Sequence, residues 1–419
     1  MNKYIVSIEK WAVEGKLLKN LMDRIRKKID KYIGIWTRYF IMKATPINPK
    51  QVLFLPQESA YTCNPKYIST ELEKRNNDIQ IVWRGPSNSL KTGRADIPLH
   101  LPLVGLNTYD YFKAIASSKV IVANSFLYVG MPYTLKKDQI LIQTWHGSLG
   151  IKRHDPTAMH DKLRQRALEK TGELTTYCIS NSSLETGSLR SAYWPKTEML
   201  EYGHARNDLF FDNHKEDRDK LKQRIFSELK IPLDAKIIMY APTFRNSKSL
   251  EFYDIDFERL VTTVQQRFGG KWYVFLRYHP SLRTLMSSRT INDSSQRTAH
   301  VINVTGYIDM QELIAVTDIA ITDYSSWIYD FILLRKPGFI FATDLESYAS
   351  DDRGFYYPIQ ETPFAIAENN DQLMQSILDF DETSYLEKLE QFLKDKGCIE
   401  DGHASERVAN LIEQIIYKN

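Results

Sequence analysis

Several short stretches of this 419-residue chain carry side chains able to move a proton or hold a phosphate. The first is Gln143–Arg153, QTWHGSLGIKR, which follows an apolar run, Gln139–Thr144, that predicts a buried strand. His146 can exchange a proton near neutral pH, Gly147 lets backbone N–H groups approach an anion, and Lys152 and Arg153 can hold a phosphate or an acidic acceptor. Taken by itself, His146 fits a capped histidine in a strand-to-helix turn just as well, because position in a fold is a weak guide to function.

Three further clusters lie in the second half, each after a run that reads as a strand: Ala241–Arg245 (APTFR), Arg277–Pro280 (RYHP) and Asp323–Ser326 (DYSS). Carboxyl ends of parallel strands form the rim where open α/β sheets bind ligands. Ser325 and Ser326 precede a predicted helix, so they either hold a diphosphate with the help of the helix dipole or act as plain N-caps. Asp330, one turn further on, either reaches a ribose or glycerol hydroxyl or faces solvent. His279 can donate to a phosphate oxygen or protonate a leaving group, with Arg277 and Arg245 adding charge-assisted bonds. Pro280 keeps His279 extended.

These residues need a scaffold that gathers strand ends. Predicted strands at Gln51–Leu55, Ile79–Trp83, Lys119–Ala123, Gln139–Thr144, Thr175–Ile179 and Glu198–Glu201 alternate with helices near Pro65–Arg75, Asn107–Ser117 and Ser182–Tyr193. A charged helical stretch, Asp212–Pro232, bridges to a second series. Its strands are Lys236–Tyr240, Trp272–Leu276, His300–Asn303, Ile319–Thr322 and Gly338–Phe341, and its helices are Asp256–Phe268, Met310–Val316 and Ser326–Leu334. The alternation implies an α/β chain of two Rossmann-like, doubly wound domains facing a central cleft, residues 46–211 and 212–395, with a helical tail over 396–419 that folds back across the hinge. Residues 1–45 form a separate amino-terminal segment, closed by the linker Ala44–Lys50 (ATPINPK).

Between Val13 and Phe40, Leu17, Leu18, Leu21, Ile25, Ile29, Tyr32, Ile33 and Trp36 recur at spacings of three and four, with Arg24, Arg26, Lys27, Lys28 and Lys31 among them. This predicts a basic amphipathic helix that lies on an anionic membrane surface, shapes a partner-binding face or packs on the following domain. Residues 1–50 hold twelve Lys/Arg against four Asp/Glu inside a chain of net charge +3, so the remainder is net acidic and a nucleic-acid binder is disfavoured. Cys63, Cys178 and Cys398 are far apart and form no CxxC, which predicts reduced thiols, no structural zinc and a cytoplasmic setting. No apolar run reaches the roughly 18 residues of a membrane span, and Tyr4–Ile8 is too short for a signal-peptide core. Walker A and GxGxxG patterns are absent, and no DxD follows a strand, so a metal-bound donor is not expected.

In their order, WHGSLGIK, GHARND (Gly203–Asp208), APTFR, RYHP, TDYSSWIYD and DLESYASDDRGFY (Asp344–Tyr356) resemble the motif series of the CDP-glycerol glycerophosphotransferase or teichoic acid polymerase family, whose members adopt the GT-B fold. The resemblance runs from about Trp145 to Tyr357. It implies that His146 is the base on the acceptor hydroxyl, with Trp145, Gly147, Ser148 and Leu149 forming its loop beside the donor. Arg206, Pro242, Thr243, Arg277, Tyr278, His279, Ser325, Ser326 and Asp330 are implied to line the CDP-alditol site, His279 as the second catalytic group. Two departures bear on donor and acceptor: Ser148-Leu149 stand where the family usually has Thr-Pro, and His204-Ala205 where it usually has Tyr-Pro.

The function so implied is transfer of glycerol phosphate, or a related alditol phosphate, from a CDP-activated co-substrate to a hydroxyl of a lipid-linked or growing teichoic acid or capsular polymer. CMP is released, and neither metal nor cofactor is needed. The implied setting is the inner face of the cell membrane, held peripherally by the amino-terminal helix; single-unit transfer and polymerisation, glycerol and ribitol, and monomer and homo-oligomer all stay open. A nucleotide-sugar glycosyltransferase would use the same rim, and a nucleotide-binding scaffold without catalysis is the remaining alternative.

Overall fold

The computed structural model describes residues 34, 36–57, 59–75, 78–86, 96–127, 134–150, 152–153, 162–243, 254–278, 300–346, 348 and 354–417. Two all-parallel sheets account for its strands. In the first, β1 (Asn48–Leu55), β2 (Gln80–Gly85), β3 (Leu103–Gly105), β4 (Ser118–Ala123), β5 (Ile140–Gln143), β6 (Tyr177–Ser180) and β7 (Glu198–Glu201) lie in the order β3-β2-β1-β4-β5-β6-β7. In the second, β8 (Lys236–Tyr240), β9 (Trp272–Leu276), β10 (Val301–Asn303), β11 (Ile319–Thr322), β12 (Gly338–Phe341) and β13 (Ala365–Ala367) lie in the order β10-β9-β8-β11-β12-β13. The strand order reverses once in each sheet, between β1 and β4 and between β8 and β11, which opens a crevice at the carboxyl ends of those strands.

The central strands form because both faces of a parallel sheet are covered, so each must be apolar on both sides and reads as a continuous run. β11 (IAIT) and β12 (GFIF) are buried at every residue, and β8 (KIIMY) at all but its first. The edge strands β3 and β13 have three residues each, and the expected strand list lacked both. β1 begins at Asn48, inside the expected linker. Pro49, which has no N–H to give, falls where the β1–β4 register is irregular.

The helices are α1 (Cys63–Lys74), α2 (Tyr109–Ser117), α3 (Lys162–Leu174), α4 (Ser183–Ala192), α5 (Lys215–Leu229), α6 (Phe257–Phe268), α7 (Met310–Ala315), α8 (Trp327–Phe331), α9 (Asn370–Leu378), α10 (Glu382–Asp395) and α11 (Ala404–Tyr417). The helix expected over Ser326–Leu334 is shorter: α8 gives way to a 3-10 turn at Ile332–Leu334. Most of the basic helix expected over Val13–Phe40 lies outside the described residues. Its far end, 36–44, is helical, with Ile41 and Met42 in the first lobe's core and Trp36, Tyr39 and Phe40 exposed.

Two of the ties that join the lobes lie at α1 and after α10. Lys66 on α1 reaches Asp309 Oδ2 at 2.7 Å and Glu312 Oε1 at 2.6 Å, at the start of α7, and Arg224 on α5 takes the other oxygen of Glu312 at 2.6 Å. After α10 the chain crosses back to the first lobe. Gly397, at φ +63°, hands its carbonyl to Ser183 N, and a Cβ there would stand 2.1 Å from Ser183 Oγ, so only glycine fits. Helix α11 then packs Val408, Ala409 and Ile412 among Val52, Phe54 and Ile68 of the first lobe.

At that crossing, Glu400 accepts from His204 N at 3.1–3.2 Å and from Asn207 Nδ2 at 2.8 Å. Burial pushes its carboxyl up to about 7, against the lowering pull of His204 and Asn207. A carboxyl raised in the fold favours the native state most below its ordinary range and loses that contribution as pH climbs through about 7. Glu400→Gln, which copies the protonated form, is expected to match the wild type near pH 4.5 and exceed it by about 1–2 kcal/mol at pH 8. Denaturant unfolding at the two pH values checks this; a stability difference independent of pH would contradict it.

Candidate active site

His146 sits at the first lobe's topological switch. Thr144 N still bonds the carbonyl of Ala123 at the end of β4, at 2.7 Å, and the chain then turns abruptly because Trp145 adopts φ +50°. A left-handed residue with a Cβ costs roughly 1–2 kcal/mol and persists only where its surroundings over-determine it. Here Trp145 N donates to Gln143 Oε1 at 3.0 Å and its carbonyl accepts from Asn64 Nδ2 at 3.2 Å. Its buried indole is wedged among Phe126, Tyr193 and Trp194, with ring centroids 5.4–5.5 Å away. The turn carries the half-buried His146 to the sheet's carboxyl edge, its ring leaning on the indole at 4.5 Å.

The His146 tautomer follows from one contact. Nδ1 lies 2.6 Å from the carbonyl oxygen of Asn124, immediately after β4. A carbonyl can only accept, so Nδ1 carries the proton and the lone pair resides on Nε2. Asn124 is itself fixed, its side-chain oxygen accepting from Gln57 N at 2.7 Å just beyond β1, across the switch. A Cβ on Gly147 would stand 2.7 Å from Trp145 Nε1, so packing also requires a glycine there.

The second lobe presents a matching rim. Past β8, Thr243 N donates to both carboxylate oxygens of Asp323 at 2.8 and 3.0 Å, closing the switch between β8 and β11. Trp327 Nε1 donates to the carbonyl of Ala241 at 2.8 Å, which seats the start of α8 against the β8 loop. Ser325 and Ser326 lie half-buried at that start, and the Ser326 hydroxyl makes no capping bond to α8, so the N-cap reading of that side chain does not hold. Arg277, past β9, is half-buried and donates to the carbonyls of Val304 at 3.3 Å and Tyr307 at 2.5 Å.

The loop that begins at His146 crosses from one rim to the other. Ser148 Oγ accepts from Asn181 in the first lobe at 3.1 Å, whereas Leu149 is 1% exposed in the second lobe's core, its carbonyl accepting from Tyr357 OH at 2.6 Å. A Cβ on Gly150 would lie 3.2 Å from Ser326 Cβ. Lys152 Nζ donates to Thr243 Oγ1 at 3.2 Å, and Arg153 Nε to the carbonyl of Phe355 at 2.8 Å. The loop of the first lobe thus runs along the second lobe's rim.

Beneath this loop lies a buried polar cluster. Arg206 donates through Nε to Asp330 Oδ2 at 3.1 Å and through Nη2 to the carbonyl of Gly147; both residues are 3% exposed. Burial alone would lower the guanidinium's affinity for its proton, but the Asp330 carboxylate more than offsets it and the group is raised above its ordinary value. Asp330 also accepts from Asn207 at 3.1 Å and Gln311 at 2.9 Å. Beside them, His204 Nε2 is 2.9 Å from Glu185 Oε2, close enough for ionic attraction though out of line for a good hydrogen bond. Burial opposes the charge on Glu185, yet His204 and the Asn181 N–H prevail and hold the carboxyl below its usual range.

Several of the expected positions are buried among protein partners. Arg206 and Asp330 are bonded to each other under the rim instead of lining it, because each satisfies the other's buried charge. Leu149 and Tyr278 lie in the second lobe's core, Pro242 is buried, and Trp145 backs His146 from within an aromatic cage. His146, Gly147, Ser148, Thr243, Arg277, Ser325 and Ser326 remain half-buried around the crevice. His279, Pro280 and Arg245 lie outside the described residues. Sequence reasoning missed Asn64, Asn124 and Glu185. Only Glu185 left a signal, the Ser182-x-x-Glu185 spacing of a capping box, and Ser182 Oγ does accept from Glu185 N at 3.0 Å. Among the described residues, no cluster of three or more His, Cys, Asp or Glu is placed to hold a metal ion.

Known proteins match this chain over nearly its whole length. It is 29% identical to a teichoic acid poly(glycerol phosphate) polymerase of Staphylococcus epidermidis, over 89% of the chain and 52% of that protein. It is 27% identical to a teichoic acid glycerol-phosphate transferase of Staphylococcus aureus, over 94% of the chain and 99% of that protein. It thus spans about half the length of the first relative and nearly all of the second. Among solved structures, a histidine-to-alanine variant of the wall teichoic acid polymerase TagF superimposes with a TM-score of 0.77 at 26% identity, covering 94% of this chain and 98% of that one. A histidine-to-asparagine variant of the same polymerase, described as soaked with CDPG, gives the same score, identity and coverage. Residues 37–414 match the model of one family, and the chain belongs to it: the CDP-glycerol:poly(glycerophosphate) glycerophosphotransferases.

Proposed function

We propose that this chain moves glycerol phosphate from CDP-glycerol to a hydroxyl of a lipid-linked or growing teichoic acid or capsular polymer and releases CMP. The observation that carries the reading is the contact of His146 Nδ1 with the Asn124 carbonyl at a parallel-sheet switch, which in the neutral imidazole makes Nε2 the proton acceptor. Family membership, and the CDPG soak described for the polymerase relative, supply the donor class. The two doubly wound lobes are read as a GT-B pair, the first serving the acceptor and the second the donor.

In this scheme the acceptor oxygen attacks the β-phosphorus of the donor while Nε2 of His146 takes its proton. The bond from that phosphorus to the bridging oxygen breaks, and its electron pair leaves with CMP. Thr243, Arg277, Ser325 and Ser326 hold the diphosphate from the second rim, and the resemblance gives His279 the task of stabilising the charge on the phosphoryl oxygens. The scheme uses protein donors alone and no metal. Ribitol phosphate would be accommodated by the same chemistry, since both alditols offer a primary phosphate ester.

The setting we propose is the inner face of the cell membrane, held there peripherally by the basic residues between Arg24 and Lys31. Among the described residues no helix is long and apolar enough to cross a membrane. Each cation near an anionic leaflet contributes about 1 kcal/mol. Replacing Arg24, Arg26, Lys27, Lys28 and Lys31 with Gln should therefore cut sedimentation with phosphatidylserine vesicles by about tenfold or more. Undiminished sedimentation would remove this part of the reading.

The catalytic assignment is tested at His146. His146→Ala should lower kcat for CMP release by about two to four powers of ten. Its calorimetric Kd for CDP-glycerol should stay within about threefold of wild type, because a base that acts on the acceptor adds little to ground-state donor binding. Turnover at the wild-type rate would exclude the assigned role.

A further inference from the structure

We propose that Arg206 is a positioning residue of this reaction: by bonding Gly147 and Asp330 together it fixes the separation between the base of one lobe and the phosphate rim of the other. The inference rests on the transfer reaction proposed above and deepens it.

The backbone on both sides of His146 is held from behind by a single unit. Arg206 Nη2 donates to the carbonyl of Gly147, immediately after the histidine. Arg206 N donates to Asn64 Oδ1 at 3.1 Å, and Asn64 Nδ2 donates in turn to the carbonyls of Thr144 at 2.8 Å and Trp145 at 3.2 Å, immediately before it. The turn that presents His146 is strained at Trp145, so it needs such restraint to keep one geometry.

The same guanidinium holds the donor side. Asp330 lies four residues beyond Ser326, on the helix whose start carries both serines of the rim, and it takes Arg206 Nε at 3.1 Å. Arg206 belongs to the first lobe and Asp330 to the second, so their contact is a strut across the lobes directly below the site. At 3% exposure Arg206 is engaged by protein acceptors, Asp330 and the Gly147 carbonyl.

Energetics alone give little reason for the pair. Two charges this deeply buried are commonly replaceable by apolar side chains with no loss of stability, so the gain is register. Arginine suits the task because its planar fork addresses two acceptors at once in fixed directions; a lysine ammonium is a point charge whose three rotatable donors fix no such directions.

The test compares Arg206→Lys and Asp330→Asn with the wild-type full chain by hydrogen exchange and steady-state kinetics. Arg206→Lys should speed amide exchange in residues 144–150 about tenfold while exchange in β9 is unchanged, since the opening is local. It should lower kcat about 10- to 100-fold with the KM for CDP-glycerol within about twofold, the signature of misplacement without lost donor contacts. Asp330→Asn preserves shape and should give the same pattern in milder form. A donor KM raised tenfold with kcat intact would make Arg206 a donor-binding residue and overturn the proposal. So would exchange that is unchanged, or faster uniformly across the chain, the latter marking a purely structural pair. If wild-type protein releases no CMP from CDP-glycerol, the proposed function fails, and exchange at 144–150 still decides the positioning role.

Discussion

A guanidinium cannot be placed in a dry interior without acceptors around it, and the organisation of this molecule follows from how that demand is met at Arg206. Its acceptors come from three places: its own lobe's turn at Gly147, the opposite lobe at Asp330 and the start of α1 at Cys63, whose sulfur lies 3.5 Å away. Asp330 is surrounded in turn by donors from Asn207 and Gln311, so neither charge can move without stranding the other. A cleft between two lobes is ordinarily the most deformable part of such a fold. Here its floor is tied by buried charge-assisted bonds, and the rim above it is half-buried.

Both lobes solve the same local problem in different ways. A parallel sheet leaves its strand ends diverging at the switch, and something must bridge the gap. In the first lobe Asn124 does so, binding Gln57 with its side chain and His146 with its backbone. In the second, Asp323 gathers Thr243 N across the corresponding gap. The Asn124 side chain anchors the backbone carbonyl that His146 Nδ1 meets. The carboxylate instead ties down the N–H groups of Thr243 and Tyr324, the latter immediately before the serines that open α8.

Much of this could be read in the chain, and the limits have physical causes. Strands buried on both faces, such as Ile319–Thr322, announce themselves as continuous apolar runs, and the polar clusters at their ends locate the rim. What could not be read was which polar residues point up into the crevice and which point down into the floor. Arg206, Asp330 and Arg277 are all charged residues at element ends, and the choice between substrate and protein partner is made by groups more than a hundred residues away in the case of Arg206 and Asp330. Leu149 and Tyr278 show the same limit for core packing: their motifs mark the neighbourhood of the site, while the side chains themselves stabilise the walls. The edge strands β3 and β13 were not expected, whereas β10, also an edge strand of three residues, was.

In the proposed reaction phosphorus moves to the acceptor together with the alditol. That transfer is tested most directly by supplying CDP-glycerol labelled with radioactive phosphorus at the β-position together with a lipid-linked acceptor and following the label. The account predicts label in the extended acceptor and unlabelled CMP in solution. Label retained in a released nucleotide diphosphate, with glycerol alone joined to the acceptor, would contradict it.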